Sequence, residues 1–238
     1  MAAPSIVILT GAGISAESGL RTFRDADGLW QQHRVEEVAS PVAFRRDPEL
    51  VQRFYNERRR LLPAVHPNAA HLALARLEQT WGGEFLLVTQ NVDDLHDRAG
   101  SRKLIHMHGE LLKARCLDCH QVHPWDLDLG GDSQCPACAV QGRLRPHIVW
   151  FGETPLEMDR IGAALAECRI FLAIGTSGHV YPAAGFVEAV QPWARTVELN
   201  LQPSQVADAF LEHRTGPATL RVPEIVEELL VLPEGRFR

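Results

Sequence analysis

Four short apolar runs punctuate the chain, at residues 5–10, 85–89, 169–174 and 195–199. They do not alternate apolar with polar, as a half-solvated strand does. Continuous runs of this length, bounded by small or polar residues, predict strands buried on both faces of a parallel sheet. Between them lie stretches with helical periodicity, notably about 47–62 and about 68–79, the second starting after Pro67-Asn68. Strand and helix in alternation predict an α/β fold, a Rossmann-like doubly wound parallel sheet. The runs end in Gly11, in Gln90-Asn91, in Gly175-Thr176-Ser177 and in Asn200. Open α/β sheets bind ligands at the carboxyl ends of their strands, so these polar ends are expected to line one crevice.

Residues 110–147 break the pattern with short loops, Gly130-Gly131 and two cysteine pairs, Cys116/Cys119 and Cys135/Cys138. Each C-x-x-C turn aims two thiolates inward, and fifteen residues between the pairs fit one tetrahedral zinc ion. Four thiolates leave no open position for water, so the expected zinc is structural. The domain expectation is therefore a single unit over 1–238 with a small zinc-binding module inserted at about 110–147. Cys168 sits beside an apolar run and reads as a buried small hydrophobe.

The first strand runs straight into Gly11-Ala12-Gly13-Ile14-Ser15-Ala16, the G-x-G-x-x-A form of a dinucleotide-binding turn. Gly11 allows the tight turn, Gly13 a close backbone approach to a pyrophosphate, and Ala16 close helix–strand packing. A glycine after a strand also fits an ordinary turn. An NAD dehydrogenase further requires a second strand ending in Asp or Glu about twenty residues on. Residues 21–40 contain no such strand, which points away from ordinary hydride transfer.

Composition narrows the field. A net charge of −6 and an aromatic content of 7% disfavour a zinc-ribbon nucleic-acid binder or a protein of anionic membranes. No apolar run approaches a membrane span, and Met1-Ala2-Ala3-Pro4 has no basic leader, so a cytoplasmic protein is expected, and a monomer.

Taken in order, Gly11–Gly19, Thr22-Phe23-Arg24, Gln90-Asn91-Val92-Asp93, His108-Gly109, the cysteine pairs, Val149-Trp150-Phe151-Gly152, Gly175-Thr176-Ser177 and Asn200-Leu201 resemble the sirtuin family over nearly the whole chain. The resemblance implies NAD-dependent transfer of acyl groups from protein lysines to ADP-ribose, with release of nicotinamide. It implies that His108 and Asn91 are catalytic. Gly11, Ala12, Gly13, Ala16, Thr22, Phe23, Arg24, Trp30, Gln90, Asn91, Val92 and Asp93 would contact NAD. So would Gly175, Thr176, Ser177, Asn200, Leu201, Gln202 and Ala218, with Gln202 standing where sirtuins often carry Glu. Acyl-lysine proteins are the implied partners, held at Val149, Phe151 and Gly152 by a short strand that pairs with the substrate backbone. A histidine suits the catalytic role because it exchanges protons near neutrality. His106 and His108 would share one face of an extended run.

Within the helical cofactor and acyl-pocket segment at about 20–80, Tyr55 and Arg58 are three residues apart and share a helix face. Alone, the pair fits a solvated basic face with a half-buried tyrosine. By resemblance to the class III branch it is an acyl-pocket pair that grips a carboxylate, with Ala39 as a small residue widening the pocket. The expected function is thus a deacetylase with desuccinylase and demalonylase activity. Two alternatives are a deacetylase with weak charged-acyl activity and an NAD-dependent mono-ADP-ribosyltransferase.

Overall fold

The computed structural model describes residues 3–20, 29–30 and 33–231. Strand β1 (Ile6–Thr10) leads into the one-turn helix α1 (Gly13–Ala16). A two-residue pairing, β2 (Leu29–Trp30) with β3 (His33–Arg34), precedes helices α2 (Val35–Val38), α3 (Pro41–Arg46), α4 (Pro48–Leu61) and α5 (Ala69–Thr80). Then come β4 (Phe85–Thr89), α6 (Leu95–Ala99) and β5 (Leu104–His106). A second sheet holds β6 (Gly109–Cys116), β7 (Val122–Pro124) and β8 (Leu144–Ile148). The chain returns through α7 (Met158–Glu167), β9 (Ile170–Ile174), α8 (Phe186–Val190), β10 (Arg195–Asn200), β11 (Glu212–Thr215) and α9 (Ala218–Val231).

The main sheet has the order β11-β10-β9-β1-β4-β5, with every pair parallel. From β1 the chain moves outward to β4 and β5, then comes back to β9 on the other side of β1. The topological switch point therefore lies between β1 and β9, where a doubly wound sheet opens its ligand crevice. Thr10 is level with Thr89 on one side and Ile174 on the other, so the three strands end together. All five residues of β1 are buried. Ile6 and Ile8 pack with α5 and α9, while Val7 and Leu9 pack with α7 and α8. That two-sided burial is why the run is uniformly apolar, each such side chain being worth roughly 1.5–3 kcal/mol.

The four expected strands and both expected helices form. Two further strands, β5 and β11, complete the edges. β11 reads Glu-His-Arg-Thr with alternating exposure, a polar edge strand that apolar patterning does not reveal. One expectation is corrected: residues 149–152 are not a strand. β8 stops at Ile148, and the chain turns through Gly152 at φ +89°. The extended run through His108 is also broken, because β5 ends at His106 and Met107-His108 form a turn before β6.

Helix α4 is started by Asp47, whose carboxylate accepts from the Leu50 N–H at 2.9 Å, with Pro48 in the first turn and three arginines in the last. One stripe of α4, Gln52, Asn56 and Arg59, is buried against the antiparallel sheet and the loop beneath it. Gln52 donates to the Leu144 carbonyl at 3.1 Å and Arg59 to the Leu111 carbonyl at 3.0 Å. The Asn56 amide exchanges two 2.9 Å hydrogen bonds with the Leu129 backbone. Among the described residues, no helix is long and apolar enough to cross a membrane.

Candidate active site

Three glycines interlock at the switch point. The Gly11 N–H donates to the Ile174 carbonyl and the Gly13 N–H to the Gly175 carbonyl, both at 2.9 Å. A Cβ on Gly13 would lie 2.6 Å from the Gly175 Cα, and one on Gly175 would lie 2.4 Å from the Ile14 nitrogen. Gly175 also adopts φ +62°. The loop after β1 is thus pressed backbone-to-backbone on the loop after β9, closer than any side chain permits. Ala12 caps α1 and Ala16 closes it. A small crevice beside this contact is lined by Leu9, Gln90, Ala173, Thr176 and Gly178.

Just past the end of β4, beside the glycine loop, stand Asn91 and Asp93, both buried. The Asn91 amide donates to the Gly11 carbonyl and to the Ser15 hydroxyl, each at 3.1 Å. Ser15 in turn donates to one Asp93 oxygen at 3.1 Å, while the other accepts from the Leu95 N–H at 3.1 Å. Burial pushes the Asp93 carboxyl above its ordinary range, and these two hydrogen bonds oppose it.

Sequence reasoning missed the layer beneath. His71 takes the Asn68 N–H on Nδ1 at 3.3 Å, so its Nε2 carries the proton toward the Ser15 hydroxyl, 3.4 Å away. His96 packs on His71 with ring centroids 4.8 Å apart and planes tilted by 60°, and reaches the Thr10 hydroxyl at 3.0 Å. Burial lowers both imidazoles, His71 to about 4. The signal that was available was Asn68 followed three residues on by His71, a capping box in which histidine replaces the usual acid.

His108, in the turn between β5 and β6, sits beside Gln90, which lines the crevice. Its Nδ1 meets the Gln90 carbonyl at 3.1 Å, which can only accept, so Nδ1 donates and Nε2 of the neutral ring keeps a lone pair. Burial lowers its pKa, partly offset by the Gln90 carbonyl. His106 is different. Burial acts to lower its pKa, but the Asp97 carboxylate at 2.9 Å and nearby Glu110 raise it on balance. His106 is therefore tied to a carboxylate, whereas His108 has a ring nitrogen available to accept a proton. Val92 links this region to the next, since its carbonyl accepts from Leu111 at 2.8 Å while its side chain packs toward Tyr55 and Trp150.

At the far end of the crevice, the Asn200 amide donates to the Thr176 carbonyl at 2.8 Å, and the Ser177 carbonyl accepts from Gln205 at 3.1 Å. Leu201 and Gln202 are exposed, and Ala218 is packed in the core at the start of α9.

Tyr55 and Arg58 do not form a solvated face. Tyr55 is fully buried and Arg58 is only 8% exposed. The Arg58 guanidinium lies over the Phe54 ring, 3.1 Å from its centroid, and donates to the Phe54 carbonyl at 2.5 Å. Burial lowers its pKa to about 10, with Tyr55 and Glu57 opposing. Ala39 packs in the same cluster as Tyr55 and Trp150, and its carbonyl accepts from the Phe151 N–H at 3.0 Å. The Val149 N–H likewise donates to the His108 carbonyl at 2.9 Å. Phe151 and Gly152 are exposed.

The four sulfurs of Cys116, Cys119, Cys135 and Cys138 lie within 4.8 Å of one another. Cys116–Cys138 and Cys119–Cys135 are each 3.7 Å apart. A tetrahedron with Zn–S bonds of about 2.3 Å has edges of roughly 3.8 Å, so the donor set fits zinc. Cys168 lies apart and buried, donates to the Ile170 carbonyl at 3.1 Å, and is raised to about 11 by burial. Thr22, Phe23 and Arg24 lie outside the described residues, and Trp30 is described only in its backbone.

The Sir2 family model matches residues 11–182. The chain belongs to the Sir2 family. It is 62% identical to an NAD-dependent protein deacylase of Escherichia coli K12, over 97% of this chain and 84% of that protein. The Yersinia pestis protein of the same name is 61% identical, with the same coverage. Among solved structures, a Sir2 homolog–NAD complex superposes with a TM-score of 0.85 at 39% identity, covering 94% of this chain and 88% of the other. A Sir2 protein with a deacetylated p53 peptide and 3′-O-acetyl ADP-ribose gives 0.83 at 28% identity, covering 95% and 94%. The Sir2 match fits the observed geometry: a glycine-locked switch point, a carboxamide and a carboxyl facing it, and a four-cysteine cluster on a separate small sheet.

Proposed function

We propose that this Sir2-family chain is an NAD-dependent protein-lysine deacylase of the sirtuin type, with His108 as its base. The observation that carries the reading is the juxtaposition of His108 and Asn91 with the glycine loop, inside a chain 62% identical to a protein named for this activity. NAD supplies the ADP-ribosyl acceptor for the acyl group, with nicotinamide as leaving group. The residues around it divide the work. Gly11-Ala12-Gly13, Ala16, Thr22-Phe23-Arg24, Trp30 and Gly175-Thr176-Ser177 belong to the cofactor site, and Asn200, Leu201, Gln202 and Ala218 to its adenosine end. Asn91, fixed by Gly11 and Ser15, orients a ribose hydroxyl or a water, and Asp93 accepts from the nicotinamide amide. His108 Nε2 takes the hydroxyl proton, while Nδ1 holds the ring on Gln90.

The peptide docks at Val149–Gly152. The Val149 and Phe151 N–H groups are already committed to His108 and Ala39, so pairing there runs through the segment's carbonyls. Tyr55 and Arg58 confer acceptance of succinyl and malonyl groups besides acetyl. The reading is supported by placement: three residues apart on α4, a guanidinium and a phenol share one helix face, and their chemistry suits a carboxylate-bearing acyl chain. One zinc ion on the four cysteines has a structural role. A cytoplasmic setting is part of the same proposal, since a reducing compartment keeps the four cysteine thiols available for zinc.

Incubation with NAD and acetyl- or succinyl-lysine peptide tests the reading by nicotinamide release. Release that depends on the acyl group supports it. ADP-ribose appearing on protein, with the acyl group left in place, would favour the ADP-ribosyltransferase alternative.

A further inference from the structure

The turn after β10 carries no acidic residue from Asn200 to Ala207, yet a carboxyl group lies directly beneath it. Glu198 is 2% exposed inside the parallel sheet, two residues before Asn200 and therefore on the same face of β10. Burying a carboxyl group there is costly unless donors surround it. Three do, from three places. Oε1 accepts from the Ser204 N–H at 3.1 Å and from the Asn200 amide at 3.2 Å. Oε2 meets His213 Nδ1 at 3.1 Å, across the β10–β11 pair where Glu198 and His213 are in register.

The orientation of Asn200 follows. Its nitrogen faces two acceptors, Glu198 Oε1 and the Thr176 carbonyl, so both amide hydrogens are committed. What Asn200 has left to present is its carbonyl oxygen, an acceptor suited to a sugar hydroxyl. We propose that Glu198 is a positioning residue for the cofactor: it holds the Asn200 amide and the 200–204 turn so that Asn200 Oδ1 receives a ribose hydroxyl from the adenosine half of NAD. The inference rests on the assignment of Asn200 to the adenosine end. Glu198 itself touches no ligand; it acts through Asn200 and through the Ser204 backbone.

The test compares wild type with Glu198→Leu, Asn200→Ala and the double variant, by calorimetric binding of ADP-ribose and by steady-state kinetics. Leu is of similar size but has no acceptor for the Asn200 amide or the Ser204 N–H, whereas Gln could keep both on its oxygen and turn its amide N–H to His213 Nδ1. Glu198→Leu is expected to weaken ADP-ribose binding and to raise KM for NAD about fivefold to tenfold. The kcat at saturating NAD and the KM for acyl peptide stay within about twofold, a split that general loss of structure would not give. Asn200→Ala is expected to behave alike, and the double variant to be no worse than Asn200→Ala alone. If Glu198→Leu does not fold, Glu198→Asp, which keeps a carboxyl group but shortens its reach, is expected to show the same split. Normal binding by a Glu198 variant beside weak binding by Asn200→Ala would overturn the inference and leave the adenosine assignment standing. Additive losses in the double variant, or equal losses in kcat and peptide KM, would overturn it too. Normal binding by Asn200→Ala would instead remove the assignment on which it rests.

Discussion

The indole N–H of Trp150 donates to the hydroxyl oxygen of Tyr55 at 3.0 Å. Trp150 is itself clamped, with its backbone N–H on the Glu153 carboxylate at 2.8 Å and the Arg145 guanidinium 3.3 Å from its ring centroid. Arg145 and Glu153 close the clamp at 2.7 Å. Trp150 thereby fixes the orientation of the Tyr55 ring and hydroxyl inside the cluster. Burial, which raises the Tyr55 pKa, keeps the phenol proton in place at neutral pH.

Arg58→Met is expected to lower kcat/KM for a succinyl-lysine peptide by about ten- to a hundredfold, the range of a charge-assisted hydrogen bond. The acetyl-lysine peptide should lose less than about threefold. Parallel assays on the two peptides decide it, since equal losses would mean that Arg58 supports the fold rather than the acyl group.

His108 must be neutral to accept a proton, and burial lowers its pKa from the ordinary 6.5. The kcat/KM profile should therefore rise from acid pH through a midpoint below 6.5 and stay level from pH 7 to 8. His108→Ala should cost about a hundredfold or more with folding unchanged. A midpoint above 7 would argue for a different base.

The buried His71 gives stability a pH dependence of known sign. Its folded pKa is about 4, against 6.5 for a solvated histidine, so the unfolded chain binds the proton more readily. The contribution is intact above 6.5 and is lost as pH falls toward 4. Urea unfolding at pH 5 should show about 2 kcal/mol less stability from this group than at pH 7, and His71→Gln should flatten that slope.

Gly13→Ala places a methyl 2.6 Å from the Gly175 Cα, where no flexible side chain can give way. Either the loop after β1 or the loop after β9 must shift. The variant is expected to lose at least about 2 kcal/mol of stability and to bind ADP-ribose poorly, as read by thermal melting and calorimetry. A normally stable variant with normal affinity would contradict the interlock.

Metal analysis should find one zinc ion per chain. Chelation should melt the small antiparallel sheet first, with deacylation falling in step with the loss of ellipticity. A metal-free protein that kept its fold but regained activity only on adding zinc would point to a catalytic ion.

Much of this was legible in the sequence, for identifiable reasons. Buried parallel strands must be apolar throughout, so β1, β4, β9 and β10 announce themselves. Thiolate pairs need fixed spacing, so Cys116, Cys119, Cys135 and Cys138 do as well. The turn at 149–152 was mistaken for a strand because Val149, Trp150 and Phe151 are good strand formers. Trp150 instead meets Tyr55 and Arg145, and Gly152 needs a positive φ. The layer of His71, His96 and Ser15 stayed hidden because its members lie far apart in sequence, and its one local signal, the Asn68–His71 capping box, carries histidine where an acid is usual. Glu198 was hidden for the opposite reason: inside an apolar run it reads as a solvated interruption, and only the fold shows its three donors.

Helix α4 has two clients. One stripe, Gln52, Asn56 and Arg59, is bonded to the backbone around the cysteine-bearing sheet, and interleaved with it stand Tyr55 and Arg58, the pair proposed for the acyl pocket. The two stripes share one rigid rod, so they cannot move independently. A change that re-seats the cysteine-bearing sheet, whether oxidation of its thiols or a lengthened loop, is carried along that rod to Tyr55 and Arg58. On the proposed reading, acyl selectivity then depends on how a remote metal knot is tied, and an engineer who retunes Tyr55 and Arg58 inherits that knot as a fixed boundary condition.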